Sequence, residues 1–107
     1  MTNEINKYQV QFNLPLEDND GLQLDDVHTE LQESLASTYG GFTMHYARGV
    51  WMNEGKLYNE SVAVYTIAMT VSEYFDFKRL ALKIGEKARQ EAVYMVDPLG
   101  KVDIFNI

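Results

Sequence analysis

Between Gly40 and Glu60 the chain reads GGFTMHYARGVWMNEGKLYNE, and this one stretch carries Thr43, His45, Arg48, Trp51, Tyr58 and Glu60. Each type suggests a chemistry. His45 and Glu60 make a general acid/base pair if a hydrogen bond's reach separates them. Trp51 and Tyr58 offer flat aromatic faces, to a planar ligand or to an interface. Arg48 and, far along the chain, Gln90 supply donors for an anionic or polar group. Arg48 and Glu60 also fit a plain ion pair. Metal chemistry is not expected: the chain has no cysteine, and its second histidine, His28, falls in a separate segment. No glycine-rich phosphate loop, nucleophile elbow or paired-carboxylate motif occurs, so no residue is assigned as catalytic and no cofactor is implied.

These side chains need elements to hold them. In KYQVQFNLPL, Tyr8, Val10, Phe12 and Leu14 alternate with Lys7, Gln9, Gln11 and Asn13, which predicts a strand with one core face. EDNDG after it is a polar loop. Leu24, Val27, Leu31 and Leu35 recur at helical spacing, with Asp25 and Asp26 in the first turn and Gly40 or Gly41 as the stop. Phe42, Met44 and Tyr46 then alternate with Thr43, His45 and Ala47. A turn is expected at 52–55, tight around Asn53 and Glu54, and SVAVYTIAMTV returns as a strand apolar on both faces. Phe77, Leu80, Ala81, Ile84 and Ala88 form a second helical stripe, capped by Ser72 or Asp76. Gly85 inside it suggests close helix–sheet approach. EAVYMV, DPLG and KVDIF finish as strand, turn and strand.

The order β-α-β-β-α-β with an added C-terminal hairpin strand is the α+β, ferredoxin-like pattern, in which two helices cover one face of an antiparallel sheet. One domain over 1–107 is expected. The matching stripes predict a core of Val10, Phe12, Leu31, Leu35, Phe42, Met44, Tyr65, Ile67, Leu80 and Ile84, with Tyr46 also turned to the helices. Alternation places Thr43, His45, Ala47 and Trp51 on the opposite, open face with Tyr58, Glu60, Val62 and Val64. Acidic residues crowd the first helix and its lead-in, and Lys78, Arg79, Lys83, Lys87 and Arg89 crowd the second, so the two helices should meet through opposite charges.

The 107 residues are 46% hydrophobic and 12% aromatic, enough for a core without disulfides. A formal net charge of −7 opposes binding to duplex nucleic acid, where affinity depends on phosphate neutralisation by Lys and Arg. No segment approaches the ~20 apolar residues of a membrane span. The beginning MTNEINKY carries no apolar leader, and a cytoplasmic protein is the expectation.

GGFT, ARGVW, GKLYNES, RQEAV and GKVDIF together resemble a small family of uncharacterised bacterial and phage proteins. Its pattern is Gly-[Leu/Phe]-Thr, Gly-x-Trp, Glu-Ser and Gln-Glu-x-Val in that order, matched here by Thr43, Gly49, Trp51, Glu60, Ser61, Gln90 and Glu91. The resemblance runs from Leu24 to Phe105. Tyr39-Gly40 stands where that family commonly has Pro-Asp. The resemblance implies the fold and no activity.

Three functions are compatible with these residues. The first is a non-catalytic homodimer binding a small molecule in a cleft on the open sheet face, through Thr43, His45, Arg48, Trp51, Tyr58, Glu60 and Gln90. The dimer is suggested by the strand 62–71, which one layer of helices cannot cover on both sides. The second is an acidic inhibitor or decoy that engages a protein partner through the first helix. The third is a small dimeric enzyme using His45 and Glu60 as acid and base.

Overall fold

The computed structural model describes residues 6–107; residues 1–5 of the expected single unit lie outside the described part. The elements are β1 (Tyr8–Pro15), α1 (Asp25–Tyr39), β2 (Thr43–Asn53), β3 (Lys56–Met69), α2 (Val71–Lys87), β4 (Ala92–Val96) and β5 (Val102–Asn106). They form an α+β fold. The strands make one antiparallel sheet in the order β2-β3-β1-β4-β5, the split βαβ order with a fifth strand added beside β4. Among the described residues no helix is long and apolar enough to cross a membrane.

Both helices lie on the face that carries Val10, Phe12 and Leu14. Phe12 is paired with Tyr65 across β1 and β3; Phe77 of α2 meets Phe12 edge-on, and His28 of α1 reaches the Tyr65 hydroxyl. Seven of the ten expected core residues are fully buried, and Phe42, Met44 and Leu80 are half-buried against them. Tyr46 is corrected. Its partner Ala63 does point to the helix side, but β2 is an edge strand, and Tyr46 is 69% exposed.

The turn of the long hairpin is one residue later than expected. Glu54 and Gly55 have φ of 51° and 77°, the left-handed pair of a two-residue type I′ turn, and Asn53 pairs with Lys56. The register therefore slips by two residues from one centred on Asn53 and Glu54. A slip of two leaves every side chain on its own face, so the expected face assignment stands: Trp51 opposes Tyr58, Gly49 opposes Glu60, and His45 opposes Val64. Val62 and Val64, on the open face, are only 6% and 8% exposed within the single chain. Burying them needs no second copy.

The helix ends show what the sequence pattern did and did not carry. Gly40, at φ 86°, ends α1 and bonds its N–H to Ala36 O. The cap of α2 is neither Ser72 nor Asp76 but Thr70, whose hydroxyl accepts from Glu73 N while the Glu73 carboxylate accepts from Thr70 N. That is a reciprocal capping box, written in the sequence as Thr-x-x-Glu. Opposite charges do join the two helical regions: Lys87 pairs with Glu30, and Arg89 with Asp18.

Candidate functional site

The strands differ in length, and that difference makes the site. β3 has 14 residues and β1 only 8. Their pairing ends at Pro15 and Val62, with one further bond from Leu16 N–H to Ser61 O at 3.0 Å. Beyond this point the β2–β3 hairpin runs on alone, and the edge of β3 from Glu60 toward Lys56 has lost its neighbour. The chain leaving β1 turns away there, and the start of β4 stands beside it.

A groove of about 690 Å³ occupies this corner. The hairpin contributes Arg48, Trp51, Asn53, Tyr58, Asn59, Glu60 and Ser61; the loop after β1 contributes Glu17, Asp18 and Asn19; Glu91 closes it from the start of β4. Consecutive residues 58–61 all line it, although alternate ones point to opposite faces of the sheet. The groove follows the free edge of β3. A smaller adjoining hollow of about 220 Å³ shares Asn19, Trp51, Glu60 and Glu91 and adds Gln90 and Ala92.

Trp51 and Tyr58 are cross-strand partners with their rings stacked, centroids 5.6 Å apart and planes 12° from parallel. The Lys56 ammonium lies 5.2 Å from the Tyr58 ring centre. Trp51 remains 44% exposed, an aromatic surface open to the groove. Around it the charge is mostly negative. Among the described residues Glu17, Glu60 and Glu91 form no ion pair, and Arg48 is the one cation lining the groove. Burial pushes the Glu60 carboxyl up from its usual range, because the half-buried carboxylate is poorly hydrated. The arrangement suits a ligand with a flat aromatic part and a positive charge.

The loop that brings Glu17 and Asn19 here is tightly determined. Asp18 Oδ1 accepts from the N–H groups of Asp20 and Leu22, both at 2.9 Å, and Oδ2 accepts from Arg89 Nε at 2.8 Å and from Arg89 Nη2. The Arg89 hydrogen bond, ahead of that from Leu22, holds the Asp18 carboxyl below its usual range. Behind the loop, His28 Nε2–H donates to Pro15 O at 2.8 Å, since a carbonyl only accepts. His28 Nδ1 therefore accepts from the Tyr65 hydroxyl at 2.6 Å, and Gln32 Nε2 donates to that hydroxyl at 3.1 Å. Every polar atom of the imidazole is used, and His28 is a structural residue that anchors the end of β1. Burial raises the Tyr65 hydroxyl's pKa.

The structure brings Arg48, Trp51, Tyr58 and Glu60 together and places Gln90 in the adjoining hollow, its side-chain amide bonded to Ala88 O at 3.1 Å. It does not bring in Thr43 or His45. His45 opposes Val64 and Glu60 opposes Gly49, four positions along the strand, or about 13 Å at strand rise. An acid/base pair of His45 and Glu60 is thus ruled out geometrically, and the site lies at the sheet's end instead of across its open face. Arg48 opposes Ser61 and makes no pair with Glu60. Glu17, Asp18 and Asn19 stand in the sequence as a plain polar loop and Glu91 as the start of a strand, so neither pattern marks them as part of the site. Unequal strand lengths were the available signal: a strand that lacks a neighbour on one side over its first third exposes that edge, and the loop leaving the shorter strand must border it.

No protein-family model matches this sequence, and no curated protein is similar to it. Two solved structures share its fold over nearly their whole length. A phage SAM lyase in complex with S-methyl-5′-thioadenosine superposes with a TM-score of 0.68 at 16% identity, covering 100% of this chain and 95% of that one. A phage SAM lyase in the apo state gives 0.67 at 17% identity, covering 100% and 94%. The expectation of a non-catalytic binding homodimer, or of a decoy, is corrected by this finding: both of these solved chains are those of a catalyst. At such identities the likeness establishes the fold of the present chain and leaves its reaction to be argued from the groove.

Proposed function

We propose that this chain is a lyase acting on S-adenosylmethionine or a closely related sulfonium nucleoside, with the edge groove as its active site. The observation that carries the reading is the joining of the stacked Trp51–Tyr58 pair to the carboxylates of Glu17, Glu60 and Glu91. S-Adenosylmethionine has a purine that stacks and a sulfonium that is a fixed cation. A carboxylate about 4 Å from such a cation is worth ~4 kcal/mol at an effective dielectric of 20. Arg48 is the group that fits the substrate's carboxylate.

The same groups favour turnover. S-Methyl-5′-thioadenosine keeps the methyl and adenosyl substituents, so the bond broken is the one from sulfur to the amino-acid side chain. The substrate's own carboxylate attacks the side-chain carbon that carries the sulfonium. A C–O bond forms as the C–S bond breaks, the bonding pair goes to sulfur, and the products are a neutral thioether and a lactone, with no base or water consumed. The carboxylates then hold the product less strongly than the reactant, which assists release. Their attraction weakens as the sulfur loses its charge, so they contribute to capture rather than to lowering the barrier. The barrier is lowered by holding the reacting chain in one conformation within the groove.

The test is incubation of the protein with S-adenosylmethionine and chromatographic detection of S-methyl-5′-thioadenosine against a protein-free control. Formation above the control that falls with Glu60→Gln and Trp51→Ala supports the reading. Absence of product together with absence of calorimetric binding to either compound refutes it.

A further inference from the structure

We propose that Asp18 and Arg89 form a clamp that sets the width of the groove, and that Arg89 is a positioning residue for its ligand; this rests on the reading of the groove as the site. The groove is walled by segments distant in sequence. Glu17 and Asn19, the chain neighbours of Asp18, stand on one side, and Gln90 and Glu91, directly after Arg89, stand on the other. The Asp18–Arg89 pair is the ionic link between these walls. Asp18 is buried, and its two carboxylate oxygens divide their work: one holds its own loop, the other holds Arg89. Neither Asp18 oxygen is left over for a ligand. Its role is to fix where Glu17 and Asn19 stand.

Arg89 is an unusual residue for its backbone. It follows the last turn of α2 with φ of 55°, its N–H bonds to Glu86 O, and Gln90 N–H bonds to Gly85 O, both at 3.0 Å. This is a Schellman stop, whose left-handed position ordinarily holds glycine because a Cβ is strained there. Local structure gives no reason for arginine at that position. The side chain's reach to Asp18 does. The lowered Asp18 pKa keeps the pair charged through the acid range where other carboxylates begin to protonate.

Arg89→Gly separates the clamp from the helix end, since glycine suits the backbone and removes only the side chain. Trp51 is the sole tryptophan and lines both hollows, so its fluorescence reads the groove without any ligand. We expect Arg89→Gly to shift Trp51 emission and increase its quenching by acrylamide, while the relief of the left-handed backbone offsets part of the stability lost with Asp18's partner. With S-adenosylmethionine as substrate, kcat/KM should fall about tenfold or more, with KM raised and kcat lowered together, because a looser groove captures the cation less well and holds the reacting chain less firmly. Arg89→Lys, which retains one charged donor, should recover part of the loss. A variant that melts lower yet keeps the wild-type emission and KM makes the pair purely structural and overturns the proposal. If the wild type neither cleaves nor binds while Arg89→Gly still shifts Trp51 emission, the clamp stands and the assigned reaction falls. If the wild type cleaves and Arg89→Gly changes neither emission nor KM, the reaction stands and the clamp falls.

Discussion

An alanine at Gly85 should destabilise the protein, although helix propensity alone argues the reverse. Gly85 is buried inside α2, and replacing an interior helical glycine with alanine gains about 1 kcal/mol. Against this stands the space available. A Cβ built on Gly85 would come within 3.0 Å of both Val93 Cγ1 and Ile107 Cδ1. Ile107 is 47% exposed and can swing aside. Val93 is 3% exposed, held in β4 between β1 and β5 packing, and cannot yield without moving the strand or the helix. Overpacking of this kind costs about 1–3 kcal/mol. With the propensity gain subtracted, the net loss is about 1–2 kcal/mol at the upper end of that range. For a domain of this size that lowers Tm by roughly 5–15 °C. Thermal unfolding followed by circular dichroism measures it. Val93→Ala in the same background should cost less than Val93→Ala alone, because each change relieves the other's strain. A Gly85→Ala protein that melts at or above the wild-type temperature would refute the reasoning and show that α2 does not sit hard on β4. Function is joined to this contact, since Gly85 O accepts the Gln90 N–H that turns the chain into the groove's wall.

Trp51→Ala should remove most ligand affinity in the groove, measured by calorimetry with S-methyl-5′-thioadenosine, and leave Tm nearly unchanged, because the ring is 44% exposed; collapse of the fold instead would place Trp51 in the core. Affinity for cationic S-adenosylmethionine should weaken as pH falls through the raised pKa of Glu60, since the protonated carboxyl no longer attracts the cation. Neutral S-methyl-5′-thioadenosine should show no such step, and Glu60→Gln should abolish it. Asp18 loses its effect in the same direction but at more acid pH: its folded pKa is lowered, so the stability it contributes is present above 3.8 and is lost as pH falls through the folded value, an acid-unfolding limb that Asp18→Asn should flatten. Tyr65→Phe should cost about 1–3 kcal/mol in denaturant unfolding, because His28 Nδ1 loses its buried donor and Gln32 its acceptor, while the ring still fills its space.

Much of the fold was legible in the sequence because its signals are local and repeated. Period-two alternation in β1 and β2 and period-3.6 stripes in both helices each rest on four or more residues, so an error at one position does not overturn the element. The hairpin illustrates the tolerance. Its turn was placed one residue early, yet the resulting two-residue slip preserved the side-chain parity, and the pairing of faces held. Tyr46 shows the limit of parity. It predicts direction and not depth, and an edge strand that outruns the helices leaves a correctly directed ring in solvent.

The site was half legible for a related reason. Its aromatic and hairpin residues, Arg48, Trp51, Tyr58 and Glu60, lie close together in sequence, and a cluster of chemical types in one hairpin can be noticed directly. Glu17, Asn19 and Glu91 come from segments that meet only because β1, which lies between β4 and the longer β3, ends short of β3. His45 entered the expected site because alternation puts it on the same face as Trp51 and Glu60. Sharing a face is a weaker condition than being near, since positions on one face recur every ~7 Å along a strand and the hairpin is eleven residues long on its shorter side. A groove at a sheet edge obeys a different rule from a cleft on a sheet face: it collects consecutive residues such as Tyr58, Asn59, Glu60 and Ser61, which alternation assigns to opposite sides. The feature to seek in such a fold is therefore the point where a long strand loses its neighbour. There a free strand edge, an incoming loop and both faces of the strand converge, and there Glu17, Glu60 and Glu91 stand.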